Sequence, residues 1–162
     1  MANEREVREA TARDAGALHV LAVELAGTLG DRKPRPEAVR ERLLELLEET
    51  RARVLVVEGV KGERGIVGAA TLWIKPDLAH GDKVIEVPML VVAGNVRRQG
   101  VGRLLVEGVQ SIAADEKAAL IELVATRENR AARAFYRSLG FVETDHIALE
   151  YVGDTKGVLG LG

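Results

Sequence analysis

The sequence contains no cysteine, and this absence removes several kinds of chemistry. Disulfide bonds, metal sites built from thiolates and enzymes with a cysteine nucleophile are all excluded. The three histidines, His19, His80 and His146, stand apart, and none has a second histidine or a glutamate at the spacing of a metal-binding motif. The sequence therefore predicts a protein that holds no metal.

The chain also has few aromatic residues and a small net charge. Phe, Trp and Tyr make up 3% of the chain, and the formal net charge is −2. Nucleic-acid-binding domains usually combine a basic surface with aromatic side chains that stack on bases, so this class is not expected. No segment approaches the roughly 20 apolar residues of a membrane span, and the N-terminus lacks the apolar run of a signal peptide. We expect a soluble, cytoplasmic protein that binds neither nucleic acid nor a membrane.

A hydrophobic fraction of 47% among 162 residues is enough for a substantial core. A chain of this length is typical of one domain. We assign residues 1–152 to a single domain and residues 153–162 to a C-terminal tail.

Hydrophobic periodicity predicts six strands and four helices. Strands are expected over residues 7–11, 54–58, 66–74, 84–93, 119–125 and 141–151, with helices beginning near Asp14, Pro36 and Val101 and a fourth helix over 129–139. The helix between the fourth and fifth strands is a crossover, which favours a parallel pair. Pro88 lies inside the fourth strand and predicts an edge position or a bulge, because proline cannot donate a hydrogen bond to a neighbouring strand.

The most informative segment follows the fourth strand, and we term it the glycine turn. It consists of Arg97, Arg98, Gln99, Gly100, Val101 and Gly102. Because the turn opens a helix, its backbone N–H groups have no intrahelical acceptor and lie at the positive end of the helix dipole, where phosphate binds. Gly100 and Gly102 would let a phosphate approach the backbone closely, and Arg97, Arg98 and Arg103 add positive charge at the rim.

Two common glycine-rich motifs do not fit this turn. A dinucleotide-binding fingerprint requires a third glycine where Leu105 stands, and a P-loop requires Gly-Lys-Ser or Gly-Lys-Thr. The remaining pattern, Arg-x-x-Gly-x-Gly after an apolar strand, resembles the pyrophosphate-binding segment of the GCN5-related N-acetyltransferases (GNAT). The second cofactor-contacting helix of that family is similar to a later segment, Asn129-x-x-Ala132-x-x-Phe135-Tyr136-x-x-x-Gly140-Phe141.

The resemblance implies a fold and a cosubstrate. The fold is an α/β (α+β) mixed sheet of about six to seven strands, mostly antiparallel, with strands four and five parallel and splayed and about four flanking helices. The cosubstrate is acetyl-CoA. Cofactor contacts carried over to this chain are the backbone groups of Leu90, Val91 and Val92, the glycine turn with Arg103, and the side chains of Asn129 and Tyr136.

The resemblance also implies two catalytic residues. Glu86, near the start of the fourth strand, would be the general base for the amine, and Tyr136 the general acid toward the coenzyme thiolate. Each residue also has a non-catalytic interpretation. Glu86 would be an exposed or ion-paired strand residue, and Tyr136 would belong to an apolar stripe along its helix. Asn129 is equally well explained as a helix N-cap. Gly94 stands where the family commonly has a proline after this strand, so we expect a looser turn.

These observations predict an acetyl-CoA-dependent N-acetyltransferase that moves the acetyl group to a primary amine by direct attack in a ternary complex. The alternative is a non-catalytic acyl-CoA-binding or regulatory module of the same fold. The acceptor, a small molecule or a peptide amine, would be recognised by residues 27–35, the second helix and residues 73–82. The alternating strand at 141–151 and the apolar tail at 158–161 would contribute to a homodimer.

Overall fold

A computed structural model describes residues 4–60, 62–63 and 65–153 of the chain. Of the C-terminal tail it describes only Gly153, so the predicted contribution of residues 158–161 to a dimer lies outside the described residues. Within these ranges, each helix is too short or too polar to cross a bilayer.

The described residues form five strands and four α-helices. The strands are β1 (Val7–Glu9), β2 (Ala52–Glu58), β3 (Ile66–Asp77), β4 (Asp82–Val92) and β5 (Leu120–Glu122). The helices are α1 (Ala15–Leu29), α2 (Pro36–Glu48), α3 (Val101–Glu116) and α4 (Arg130–Ser138). The strands lie in sequence order in one sheet, and only the pair β4–β5 is parallel. The predicted mixed sheet with parallel fourth and fifth strands is confirmed.

The sheet separates two hydrophobic clusters, because alternate residues of each strand point to opposite faces. The cluster on the α3 face includes Leu55, Leu72, Ile85, Leu105 and Val109. The cluster on the α1 and α2 face includes Leu18, Leu21, Leu43, Val54 and Val56. Both faces of the sheet are therefore covered, and a ligand can reach the strands only where the helices leave a gap.

The predicted bulge in β4 is present. Thr71 is paired with Met89, and Trp73, two residues further along β3, is paired with Glu86, so β4 has one more residue than β3 across this step. The extra residue falls beside Pro88, which has no N–H to offer to the ladder.

The bulge changes which face of the sheet each β4 side chain occupies. Ile85 and Val87, before the bulge, belong to the cluster on the α3 face, and Leu90 and Val92, after it, pack against the same cluster. Glu86 lies between Ile85 and Val87 and therefore projects from the opposite face, toward the side of α1 and α2.

Two expectations about the last third of the chain are wrong. The fifth strand ends at Glu122 instead of residue 125, because β5 pairs with β4 only from Val84–Leu120 to Glu86–Glu122. The strand expected over residues 141–151 is absent, because its residues make no ladder hydrogen bonds and 142–151 are all exposed. Alternating apolar residues predicted a strand, but no described part of this chain pairs with it.

α3 approaches the sheet very closely at Gly68 of β3. A Cβ on Gly68 would lie 2.5 Å from Cγ1 of Val101 and 3.2 Å from Cδ1 of Leu105. The shorter distance is well inside van der Waals contact, so a side chain at this position would push α3 away. Glycine at position 68 therefore fixes where the first turn of α3 lies relative to β3 and β4.

We expect Gly68→Ala to lower the free energy of unfolding by about 1–3 kcal/mol, because the added methyl group overpacks the contact with α3. The matched control is Gly16→Ala in α1, where a Cβ would meet nothing within 4 Å. That substitution should raise stability by about 0.5 kcal/mol, since alanine favours helix more than glycine does. Urea unfolding of both variants measures the difference, and equal stabilities would show that α3 does not depend on this contact.

Candidate functional site

β4 and β5 pair only as far as Glu86 and Glu122, and we term the region between β4 and the chain after β5, beyond these residues, the slot. β4 continues to Val92, and in this part it is paired only with β3, through Gly68, Ala69 and Ala70. The backbone groups on the other edge of Leu90, Val91 and Val92 face the slot without a strand partner among the described residues. Such an edge can hydrogen-bond an extended ligand with amide groups, as an added strand would.

The glycine turn has the backbone geometry of an anion site. Arg98 and Gly100 both have left-handed conformations, with φ of 64° and 83°. α3 begins immediately afterwards, and the N–H of Leu104 donates to the carbonyl of Gly100 at 3.1 Å. The N–H groups of Val101, Gly102 and Arg103 donate to no acceptor in the described part of the chain. When the backbone alternates between left-handed and right-handed conformations, the free N–H groups that follow form a concave anion-binding nest.

The two sequence motifs meet at Gly102. A Cβ on Gly102 would lie 3.0 Å from the ring of Phe135 in α4, whereas a Cβ on Gly100 would meet nothing within 4 Å. Gly102 thus leaves room for the close packing of α4 on the first turn of α3, which is not the reason expected from the sequence. Gly100 keeps the open space and the left-handed backbone that an anion site needs.

The beginning of α4 is capped by Asn129. Its Oδ1 accepts a hydrogen bond from the N–H of Ala132 at 3.1 Å, so the N-cap interpretation is confirmed. The amide NH₂ of Asn129 is left as a donor for a ligand. Arg133, on the same helix, donates to both carboxylate oxygens of Glu143 at 2.8 and 2.9 Å.

Tyr136 lies in an apolar environment formed by its two aromatic neighbours. Its ring centroid is 5.2 Å from that of Phe135 and 5.7 Å from that of Phe141, both tilted. Burial raises the pKa of the Tyr136 phenol above its usual value. The hydroxyl is therefore fully protonated at neutral pH and able to donate a proton.

Glu86 is ion-paired with Lys75 of β3. Both side chains are about half exposed, at 43% and 46% of their surfaces. Glu122 is the register partner of Glu86 on β5, so two carboxylates lie side by side at the closed end of the slot. Glu86 is thus an ion-paired strand residue among the described contacts, as the alternative to a general base expected.

The histidines have local explanations. His80 pairs with Asp77 in the turn between β3 and β4, and this carboxylate raises the pKa of the imidazole. His19 contacts the carbonyl of Pro34 at 3.0 Å. Across residues 4–60, 62–63 and 65–153, no three His, Asp or Glu side chains converge as metal ligands do.

Glu24 of α1 was not found from the sequence. Its Oε1 accepts a hydrogen bond from the N–H of Gly94 at 2.6 Å and lies 3.8 Å from the guanidinium of Arg97. A proline at position 94 has no N–H and would lose this bond. The N–H at position 94 therefore ties the turn after β4 to α1.

Arg5 was also not found from the sequence. Its guanidinium donates to both oxygens of Glu63, and it donates to Oε1 of Gln99 in the glycine turn at 2.9 Å. The guanidinium lowers the pKa of Glu63 to about 2, so the pair stays charged under all ordinary conditions. Arg5 thereby connects the N-terminal segment and the loop before β3 to the glycine turn. No local pattern marks these contacts, because the partners are 58 and 94 positions apart.

The chain is similar to a known sequence family and to several solved structures. The family model described as "Acetyltransferase (GNAT) family" matches residues 12–141. No curated protein matches the sequence. The fold is similar to that of a transcriptional regulator from Bacillus halodurans C-125, with a TM-score of 0.81, 22% identity and coverage of 93% of this chain and 100% of that one.

Two further structures share the fold at low identity. One is a possible acetyltransferase from Clostridium difficile 630, with a TM-score of 0.77, 21% identity and coverage of 92% of this chain and 97% of that one. The other is an aminoglycoside acetyltransferase from an uncultured soil metagenomic sample, solved in complex with sisomicin. It has a TM-score of 0.71, 18% identity and coverage of 93% of this chain and 97% of that one.

The raised pKa of Tyr136 can be measured directly, because the chain contains only two tyrosines. We expect the tyrosinate absorbance assigned to Tyr136 to appear with a midpoint above ~10. The assignment rests on its disappearance in Tyr136→Phe, with Tyr151→Phe as the control that leaves it in place. A midpoint below ~10 would mean that a positive group, instead of an apolar environment, faces the phenol.

Proposed function

Because the chain belongs to the Acetyltransferase (GNAT) family, we propose that it transfers an acetyl group from acetyl-CoA to a primary amine. The observation that carries this proposal is the glycine turn. Its free backbone N–H groups lie at the start of α3, shortly after the strand whose outer edge is open. The free N–H groups suit a diphosphate, and the open strand edge suits an arm that contains amide groups. Coenzyme A joins these two parts in one molecule.

In this proposal coenzyme A binds along the slot. The N–H groups of Val101, Gly102 and Arg103 bind the diphosphate oxygens, with the side chains of Arg97, Arg98, Gln99 and Arg103 at the rim. The open edge of β4 at Leu90, Val91 and Val92 pairs with the pantetheine amides. The free amide NH₂ of Asn129 donates to the same ligand from the start of α4. Acetyl-CoA supplies a thioester that is activated toward attack by an amine.

Two side chains of this chain move protons. Glu86 takes a proton from the ammonium form of the acceptor, directly or through one water, because an alkylammonium with a pKa near ~10.4 is not nucleophilic at neutral pH. The amine nitrogen then attacks the carbonyl carbon, a C–N bond forms and the C–S bond breaks. Tyr136 gives its proton to the departing sulfur, and the second proton of the attacking nitrogen passes through water to the phenolate, which restores Tyr136. Glu86 releases its proton to solvent. A backbone N–H in β4 polarises the carbonyl oxygen during attack.

The bulge in β4 supports a division between donor and acceptor sides. Glu86 projects toward the α1 and α2 face, whereas α4, which carries Tyr136, packs on the first turn of α3 at Gly102. Coenzyme A approaches from the side of α3 and α4, and the amine approaches from the side of α1 and α2. The base, Glu86, then acts on the amine from one side of the slot, and the acid, Tyr136, acts on the departing sulfur from the other side.

We propose a small cationic amine as the acceptor. Glu86 and Glu122 lie side by side at the closed end of the slot, and Trp73 is the register partner of Glu86 on β3. Carboxylates beside an aromatic ring suit an ammonium group. The neighbour solved with sisomicin is an aminoglycoside acetyltransferase, which is consistent with this class of acceptor.

The second candidate is a non-catalytic acyl-CoA-binding or regulatory module. The ion pair between Lys75 and Glu86 favours it, because the carboxylate already has a partner within the protein. One structural neighbour is described as a transcriptional regulator. Binding of coenzyme A is common to both candidates, and only turnover with an amine separates them.

A substitution in the glycine turn tests coenzyme A binding. We expect Gly100→Ala to weaken it by roughly tenfold or more, because the added Cβ occupies the open nest and strains a left-handed backbone. Gly30→Ala is the matched control, since Gly30 is also left-handed and open but ends α1. Both variants should lose about 1 kcal/mol of stability, and calorimetric titration should show weaker binding only for Gly100→Ala. Unchanged affinity in Gly100→Ala would place the diphosphate elsewhere.

Turnover can be measured as thiol release from acetyl-CoA with a panel of small amines. Glu86→Gln should lower kcat/KM by about 100-fold near neutral pH and by much less near the pKa of the acceptor, where the amine is already neutral. Tyr136→Phe should lower kcat by about 100-fold at all pH values below the pKa of the phenol.

The controls for turnover are Glu41→Gln and Tyr151→Phe, which change exposed residues away from the slot. If neither Glu86→Gln nor Tyr136→Phe slows a reaction that the wild-type protein performs, the proposed proton transfers are wrong although the family activity stands. If the wild-type protein binds acetyl-CoA but acetylates no amine in the panel, the non-catalytic module is the better account.

A further inference from the structure

Arg5 contacts the glycine turn through one side chain, that of Gln99. Its Nη2 donates to Oε1 of Gln99 at 2.9 Å, although the two residues are 94 positions apart. A guanidinium carries only donors, so the amide of Gln99 must turn its carbonyl oxygen toward Arg5. The NH₂ group then lies at the other end of the amide, and within the described residues it donates to no acceptor. The contact therefore fixes which end of Gln99 is left for a ligand.

Arg5 is itself held in place by the loop between β2 and β3. Its Nη1 and Nη2 donate to the two carboxylate oxygens of Glu63 at 2.5 and 2.7 Å, and the two side chains are only 10% and 16% exposed. Oε1 of Glu63 also accepts a hydrogen bond from the N–H of Val60 at 2.8 Å, and the N–H of Glu63 donates to the carbonyl of Val60 at 2.8 Å. The guanidinium is thus oriented before any ligand binds.

Gln99 lies between two left-handed residues, Arg98 with φ of 64° and Gly100 with φ of 83°. The left-handed conformation is unfavourable for arginine, and it persists where the surrounding structure restrains the backbone. The bond from Arg5 restrains the residue between the two left-handed positions. The shape of the glycine turn therefore depends on a contact that comes from outside the turn.

The charge of Arg5 is balanced by Glu63, so the pair has no net charge at neutral pH. Two opposite charges side by side largely cancel at the distance of a ligand, and the pair adds little attraction for a diphosphate. Arg97, Arg98 and Arg103 supply the positive charge at the rim instead. The contribution of Arg5 to binding then comes from the direction that it gives to Gln99.

We propose that Arg5 is a positioning residue for coenzyme A. It turns the amide of Gln99 so that the NH₂ group donates to a diphosphate oxygen at the glycine turn, and it does not touch the ligand itself. This role rests on the proposed function, because it requires coenzyme A as the ligand of the turn. Arg5 precedes residues 12–141, so the match to the family model does not include this contact.

Calorimetric titration with coenzyme A and with ADP, which share the diphosphate, tests this role. We expect Arg5→Lys to weaken both ligands roughly fivefold to tenfold, because the ammonium group keeps the charge but lacks the planar fork that reaches Glu63 and Gln99 together. Gln99→Ala should have a similar effect, since it removes the donor. In Gln99→Ala, adding Arg5→Lys should weaken binding no further, because the two residues act as one unit.

Arg8→Lys is the matched control. Arg8 of β1 is also ion-paired, with Asp14 and Glu58, but in the described part of the chain it makes no bond to the glycine turn. Its substitution should lower the free energy of urea unfolding and leave both dissociation constants unchanged. If Arg5 served stability alone, Arg5→Lys would behave in the same way, and no coupling with Gln99 in ligand binding would appear.

A second readout follows the NH₂ group of Gln99 directly. The chain contains two glutamines and three asparagines, so the ¹H–¹⁵N signals of this group can be assigned by their loss in Gln99→Ala. In the wild-type protein we expect them to shift when coenzyme A or ADP is added, and in Arg5→Lys we expect a smaller shift at saturation. The NH₂ group of Gln110, which lies near the carbonyl of Leu139, is the internal control and should not move.

Three results would each overturn the role of Arg5 while wild-type binding of coenzyme A left the proposed function standing. They are full affinity in Arg5→Lys, an equal loss from Arg5→Lys with and without Gln99, and an NH₂ signal of Gln99 that the ligands leave unchanged. A wild-type protein that binds neither coenzyme A nor ADP would overturn the proposed function as well.

Discussion

The close contact between α3 and β3 at Gly68 is the constraint on which the candidate site depends. Val101 is both the residue that touches position 68 and the first residue of α3, so the packing contact also sets the position of the helix start. The free N–H groups of the glycine turn follow from that position, because they belong to the first turn of the same helix. Packing of Phe135 against Gly102 then fixes α4, and with it Tyr136, relative to the same point.

The bulge at Pro88 complements this constraint on the other side of the slot. One extra residue in β4 lets Leu90 and Val92 keep the core contacts on the α3 face while Glu86 projects from the opposite face. The parallel pairing ends at the same level, at Glu86 and Glu122. The bulge thus coincides with the point at which β4 loses its second strand partner. In the proposed function, this point separates the coenzyme A side from the amine side.

The sequence predicted those features of the site that lie within short segments. The glycine turn, the helix after it, the parallel pair and the bulge each follow from residues within the continuous segment from Asp82 to Glu122, where backbone chemistry and periodicity act locally. The contacts of Arg5 with Gln99 and of Glu24 with Gly94 join residues 94 and 70 positions apart, and no local pattern signals them. The missing strand at 141–151 has a different cause: alternation shows that a segment suits a sheet but not which sheet it joins.

The central claim is that main-chain N–H groups at the start of α3 bind the diphosphate of coenzyme A. The most direct measurement is an amide ¹H–¹⁵N NMR titration of the wild-type protein with coenzyme A. The account predicts that the amides of residues 99–103 show the largest shifts and that coenzyme A and ADP shift the same amides. Unchanged resonances at these positions, with shifts of comparable size elsewhere, would contradict it.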